Sequence, residues 1–104
     1  MIRKYEKLVR DNIPEIIKKQ NQTPIVRVLS NDEYRCCLNK KLLEEVNEYL
    51  ENNCIEELCD ILEVIEALTK HMNYTQAEVQ NIKSSKALKN GGFEKKLFLE
   101  EVIE

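Results

Sequence analysis

The sequence predicts a mainly α-helical protein: an antiparallel helical bundle with a small two-stranded β element. Three observations lead there. Among 104 residues only two are glycine and two proline, while Glu, Lys and Leu abound, so helix formers dominate and breakers are rare. Ser30 followed by Glu33, and Thr75 followed by Glu78, have the capping-box spacing that opens a helix. Asn52-Asn53 and Asn90-Gly91-Gly92 interrupt the chain where helical patterning stops.

In chain order, Met1–Arg10 mixes charge with Tyr5, Leu8 and Val9 and reads as an extended lead-in. Asp11 is positioned to cap a short helix over roughly 13–20, with Pro14 accommodated in its first turn. The stretch from Pro24 to Leu29 is rich in β-branched residues and predicts a short strand. A long helix should start near Asn31 and end near Glu51 or Asn52. A second should run from about Ile55 to His71, and so short a connection makes the two antiparallel neighbours. Thr75 then opens a third long helix to about Lys89. Phe93 to Leu99 predicts a second strand, with Phe93, Lys95, Leu97 and Leu99 on one face, to pair with 25–29.

A chain of this length is one small domain, residues 1–104, without room for a second core. Its net charge of −3 gives no basis for nonspecific nucleic-acid binding. Cys36, Cys37, Cys54 and Cys59 form no C-x-x-C pair and there is one histidine, which argues against zinc; Cys54 reads as a small hydrophobe. No signal peptide or membrane-spanning run is visible, so the expectation is a cytoplasmic protein with free thiols and no membrane partner.

The chemistry concentrates in residues 41–60. With Tyr34 as the reference on a helical projection, Leu38, Leu42, Val46 and Tyr49 fall within about 120° of one another. Glu45 lies about 20° from Tyr34, inside that apolar stripe, with Glu48 on its border and Glu44 further towards solvent. On the following helix Glu57 projects between Val64 and Ile61, with Asp60 at the edge. Glu44, Glu51, Glu56, Glu63 and Glu66 read as solvated faces. Inward carboxylates need positive charge, because an isolated buried anion is very unfavourable. Either a Lys/Arg network or a hard divalent cation would supply it, and oxygen ligands suit Mg²⁺ or Mn²⁺. A small helical domain with inward acids is expected to complete its core by forming a homodimer or homotetramer.

The run Glu44-Glu45-Val46-Asn47-Glu48, E-E-x-x-E, followed by Glu57-Leu58-Cys59-Asp60, E-x-x-D, resembles the signature of the all-α nucleotide pyrophosphohydrolases, the MazG and phosphoribosyl-ATP pyrophosphohydrolase superfamily. Lys7-Leu8-Val9-Arg10-Asp11-Asn12-Ile13-Pro14 and Asn90-Gly91-Gly92-Phe93-Glu94-Lys95 are similar to its small, phosphoribosyl-ATP pyrophosphohydrolase-like branch, so the likeness spans nearly the whole chain. The resemblance implies Mg²⁺ held by Glu45, Glu48, Glu57 and Asp60. It also implies cleavage of the α–β phosphoanhydride of a nucleoside triphosphate, giving a monophosphate and pyrophosphate. Glu48 or Glu44 is the expected proton acceptor, and Lys7, Arg10, Lys83 and Lys86 are the cations expected near the phosphates. Lys41 projects beside Glu45 as a counter-charge. His71 reads as too far along its helix to be a ligand, and Tyr34 and Tyr49 read as core. Phosphoribosyl-ATP is the alternative substrate, and a helical oligomer that binds metal or nucleotide without turnover is the alternative outside enzymes. Nothing in the sequence reads the base.

Overall fold

The computed structural model describes residues 1–104 and contains four helices: α1 (Ile13–Lys19), α2 (Asn31–Asn52), α3 (Ile55–His71) and α4 (Gln76–Asn90). Both capping boxes form. Ser30 Oγ accepts from the Glu33 amide at 3.2 Å while Glu33 Oε1 accepts from the Ser30 amide, and Thr75 and Glu78 repeat the arrangement at 3.1 Å. The first helix differs from expectation: its N-cap is Asn12, with helical backbone and no side-chain capping bond, so Asp11 does not cap it. Asparagine ends or follows three helices in the left-handed region, where its short polar side chain is tolerated: Asn21 (φ 60°), Asn53 (φ 49°) and Asn73 (φ 68°).

The two predicted strands do not form. Residues 25–29 and 93–99 run without regular structure, and the backbone makes no ladder between them. Their β-branched and aromatic residues state a preference, but two isolated strands are marginal in water without a packed face behind them. Val28, Phe93, Leu97 and Leu99 all remain exposed, so that face is missing.

The centre of the molecule is the α2–α3 hairpin. Leu38, Val64 and Leu68 are its buried core, and Leu42, Tyr34, Ala67 and, from the lead-in, Leu8 pack against them. Leu8 thereby ties the N-terminal segment to the hairpin. α4 packs on α3 alone, and the residues beyond it are exposed. The radius of gyration is 18.6 Å, against about 13 Å for a compact domain of this length. Apolar side chains on both long helices, Leu43, Leu50, Ile55 and Leu62, are more than 60% exposed, so one chain leaves much of its own apolar surface uncovered.

Candidate metal centre

Left-handed Asn53 reverses the chain at the end of α2, its amide bonded to the Tyr49 carbonyl at 2.6 Å, and sends α3 back along α2. That reversal brings the acids of E-E-x-x-E and E-x-x-D together. Carboxylate oxygens of Glu44, Glu45 and Glu48 lie within 4.8 Å of one another, and so do those of Glu45, Glu57 and Asp60. Glu45 belongs to both groups and is their hinge. It is 6% exposed, and its Oε2 is buried with no hydrogen-bond partner. The inward projection of Glu45, and the more open position of Glu44, agree with the structure.

Three cations meet these five acids. Lys41 Nζ lies 3.2 Å from Glu45 Oε1 and 3.5 Å from Glu44 Oε2. Lys7 Nζ reaches Glu44 Oε1 at 3.5 Å, and Arg10 Nη2 donates to Asp60 Oδ1 at 2.8 Å. The lead-in therefore lies over the acids and supplies two of the counter-charges. Asn52 Nδ2 donates to Glu57 Oε1 at 3.1 Å and holds that carboxylate in place. Five carboxylates against three cations leave two negative charges, if all are ionised.

The shortfall shows in Glu48. Its hydrogen-bonding contact with Glu45 and that neighbour's charge, then some desolvation and the charges of Glu57 and Glu44, raise its pKa above the ordinary carboxylate value. A closed ion-pair network would satisfy both oxygens of its most buried member. Here Glu45 has one oxygen on Lys41 and the other unpartnered, which costs stability unless something binds it. An all-oxygen donor set short of two positive charges is the chemistry a hard divalent cation requires. Glu45 with Glu57 and Asp60, or Glu45 with Glu44 and Glu48, could hold Mg²⁺ or Mn²⁺.

Of the residues expected near phosphates, Lys7 and Arg10 are at the acids. Lys83 and Lys86 are exposed on α4, and neither forms an ion pair. Their even spacing describes one face of α4, not where α4 goes. His71 is outside both acid groups and meets the Tyr34 ring edge-on at 5.3 Å. Asn52 was legible only as a helix stop; its place in the turn, five residues before Glu57, is the signal that could have marked it as a partner of that acid.

Comparison with known proteins adds one relative and no family. No family model matches the chain, and no solved structure matches it. An uncharacterized protein of Mycolicibacterium smegmatis is 56% identical over 41 residues, a stretch that covers 39% of this chain and 42% of that protein.

Proposed function

We propose that the protein is a Mg²⁺-dependent nucleotide pyrophosphohydrolase of the MazG-like kind, cleaving the α–β phosphoanhydride of a nucleoside triphosphate in a house-cleaning role. One observation carries the reading. Glu45 is more than nine-tenths buried, is shared by both acid groups and has an unpartnered oxygen among like-charged neighbours. A divalent cation, Mg²⁺ or Mn²⁺, held by Glu45, Glu48, Glu57 and Asp60 would neutralise phosphate oxygens and polarise the phosphorus towards water.

The chain's own residues divide the remaining work. Acids alone repel a polyphosphate, so Lys7 and Arg10, which pair with Glu44 and Asp60, would bind its oxygens once those acids were neutralised. Glu48 and Glu44 are the proton acceptors beside the attacked phosphorus. Glu48, whose affinity for a proton is already raised, is the better base when it is not a ligand. Asn52 holds Glu57, and Lys41 holds Glu45. Lys83 and Lys86, exposed and without an ion pair in one chain, would reach the phosphates if a second copy brought its α4 there. The exposed apolar faces of the hairpin support such a homodimer or homotetramer; the reading is of a cytoplasmic enzyme that acts on a free nucleotide, with no nucleic-acid or membrane partner. No helix is long and apolar enough to cross a membrane.

The test is pyrophosphate release with and without Mg²⁺, across ordinary and modified nucleoside triphosphates and phosphoribosyl-ATP. Metal-dependent turnover is expected on at least one nucleoside triphosphate. Turnover confined to phosphoribosyl-ATP would make this the enzyme of histidine biosynthesis. Metal binding without turnover on any of them would favour the binding oligomer, a reading supported by the exposed apolar faces of α2 and α3.

A further inference from the structure

A cavity of about 390 Å³ opens between α2 and α3, lined by Tyr34, Glu63, Glu66, Ala67, Lys70 and His71. That volume lies in the range of about 300–1,000 Å³ typical of small-molecule sites. It is not part of the acid cluster, yet the two share a face. On α3, Asp60, Glu63, Ala67 and Lys70 recur at spacings of three and four, which makes one continuous stripe. On α2, Glu45, Lys41, Leu38 and Tyr34 do the same. The acids and the cavity therefore lie along one stripe of each helix, with the Leu38 packing between them on α2. From Asp60 to Ala67 the α3 stripe rises about 10 Å, two helical turns.

Resting on the proposed triphosphate chemistry, we infer that this cavity receives the nucleoside of the substrate, with Glu63 on the ribose and the Tyr34–His71 pair against the base. Three features fit that occupant. Glu63, one turn from Asp60, is the cavity acid without an ion pair, since Glu66 is held by Lys70 at 3.2 Å; its oxygens are free to accept from sugar hydroxyls. Ala67 contributes a floor with almost no side chain, leaving room for a flat ring. Beyond it Tyr34 and His71 stand nearly perpendicular, at 84°, so a base lying on one ring would turn its own edge to the face of the other. The packing of Tyr34 against Leu38, Val64 and Leu68 fixes that wall rigidly. Stacking accepts any base, so the cavity selects nucleosides over bare phosphates more strongly than it selects among bases.

The experiment compares the binding of Mn²⁺, tripolyphosphate with Mn²⁺, and α,β-methylene-ATP with Mn²⁺ by calorimetry. The proteins are the wild type, Ala67→Trp, which fills the cavity, and His71→Ala, which removes one ring at the last residue of α3. The wild type should bind the nucleotide analogue more tightly than tripolyphosphate. Each variant should lose about tenfold of that nucleotide affinity. Mn²⁺ and tripolyphosphate affinities, and the mass by light scattering, should stay unchanged. A wild type that binds both phosphate ligands equally, or variants that keep the nucleotide preference, would overturn the cavity assignment while leaving the metal reading standing. A changed mass in Ala67→Trp with nucleotide preference intact in His71→Ala would assign the cavity to a subunit interface and overturn it too. A wild type that binds no Mn²⁺ would remove the metal reading, and the nucleoside assignment with it.

Discussion

Glu33 and Glu45 lie on the same helix, about three turns apart, and the chain treats them in opposite ways. Glu33 is exposed and fully occupied. Both of its oxygens take Arg27, at 2.8 and 3.2 Å, and Oε1 also accepts from the Ser30 amide. Those bonds, the Arg27 pair first and Ser30 after it, hold its pKa down at about 2. Glu45 is buried, has one oxygen on Lys41 and one on nothing, and helps to push the pKa of Glu48 upward. Exposure would lead one to expect the reverse, since a buried acid has the greater need of partners. An acid the fold supplies with donors is holding structure together. An acid the fold buries and leaves short is one that a bound cation would stabilise.

The hardest test of that contrast is removal of an acid from each set. Glu45→Gln and Glu57→Gln should keep the helices, read by circular dichroism. They should lose more Mn²⁺ affinity than the about 10–100-fold that follows loss of an outer partner of a metal site, and lose turnover with it. Glu33→Gln should leave Mn²⁺ binding unchanged. Glu44→Gln should be milder than Glu45→Gln, because Glu44 is the more open of the pair and already holds two lysines. Equal losses at Glu33 and Glu45 would end the distinction between fully partnered and partly unpartnered acids.

Arg10 tests whether the cluster's present counter-charge is a stand-in. Both Arg10 and Asp60 are substantially exposed, so their ion pair is worth only a fraction of a kcal/mol to about 1 kcal/mol. Arg10→Ala should therefore raise Mn²⁺ affinity in the absence of nucleotide by up to about fivefold, and lower tripolyphosphate affinity. A fall in both would make Arg10 a support of the folded site, not a competitor that moves to the substrate.

The pH dependence separates the two sets by sign. The pKa of Glu33 is depressed on folding, so its contribution is present above the ordinary carboxylate range and is lost as pH falls towards about 2. The pKa of Glu48 is raised on folding, so the folded chain binds that proton more readily than the unfolded one. Stability from this group is greatest below the ordinary carboxylate value and is lost as pH rises through the raised one. Without metal, thermal unfolding should thus shift upward as pH falls from neutral into the carboxylate range, before the loss of the Arg27–Glu33 pair reverses the trend. Saturating Mg²⁺, or Glu48→Gln, should flatten the first rise and leave the later fall.

How much of this was legible follows the range of each interaction. Helix positions depend on neighbours three and four residues away, so the capping boxes at Ser30 and Thr75 and the stop at Asn52-Asn53 placed the three long helices closely. The same local periodicity separated inward Glu45 from Glu44. Strand pairing depends on distant partners, and the β-branched 25–29 gave no sign that 93–99 would lie apart from it. The place of Lys83 and Lys86 relative to the acids is likewise not written locally, since nothing nearby in sequence says which surface α4 will cover. Tyr34 was placed in the core by its position on the stripe, and it does pack there. Its other face was hidden from a projection, because the His71 ring it meets comes from the far end of the next helix.

The smallest expected effect lies at the occupied end, and it decides whether that end is structural only. Ser30→Ala removes the hydroxyl that accepts from the Glu33 amide, and loss of such a cap costs about 1 kcal/mol. Arg27 still grips the Glu33 carboxylate in this variant, so the first turn of α2 should fray without unfolding. Thermal denaturation should fall by a few degrees, while Mn²⁺ affinity stays at the wild-type value, because the frayed turn is about three turns from Glu45 and the Leu38 packing lies between. If Mn²⁺ affinity dropped along with stability, α2 would be transmitting strain from its cap to the acids. The two sets of carboxylates would then be one coupled device.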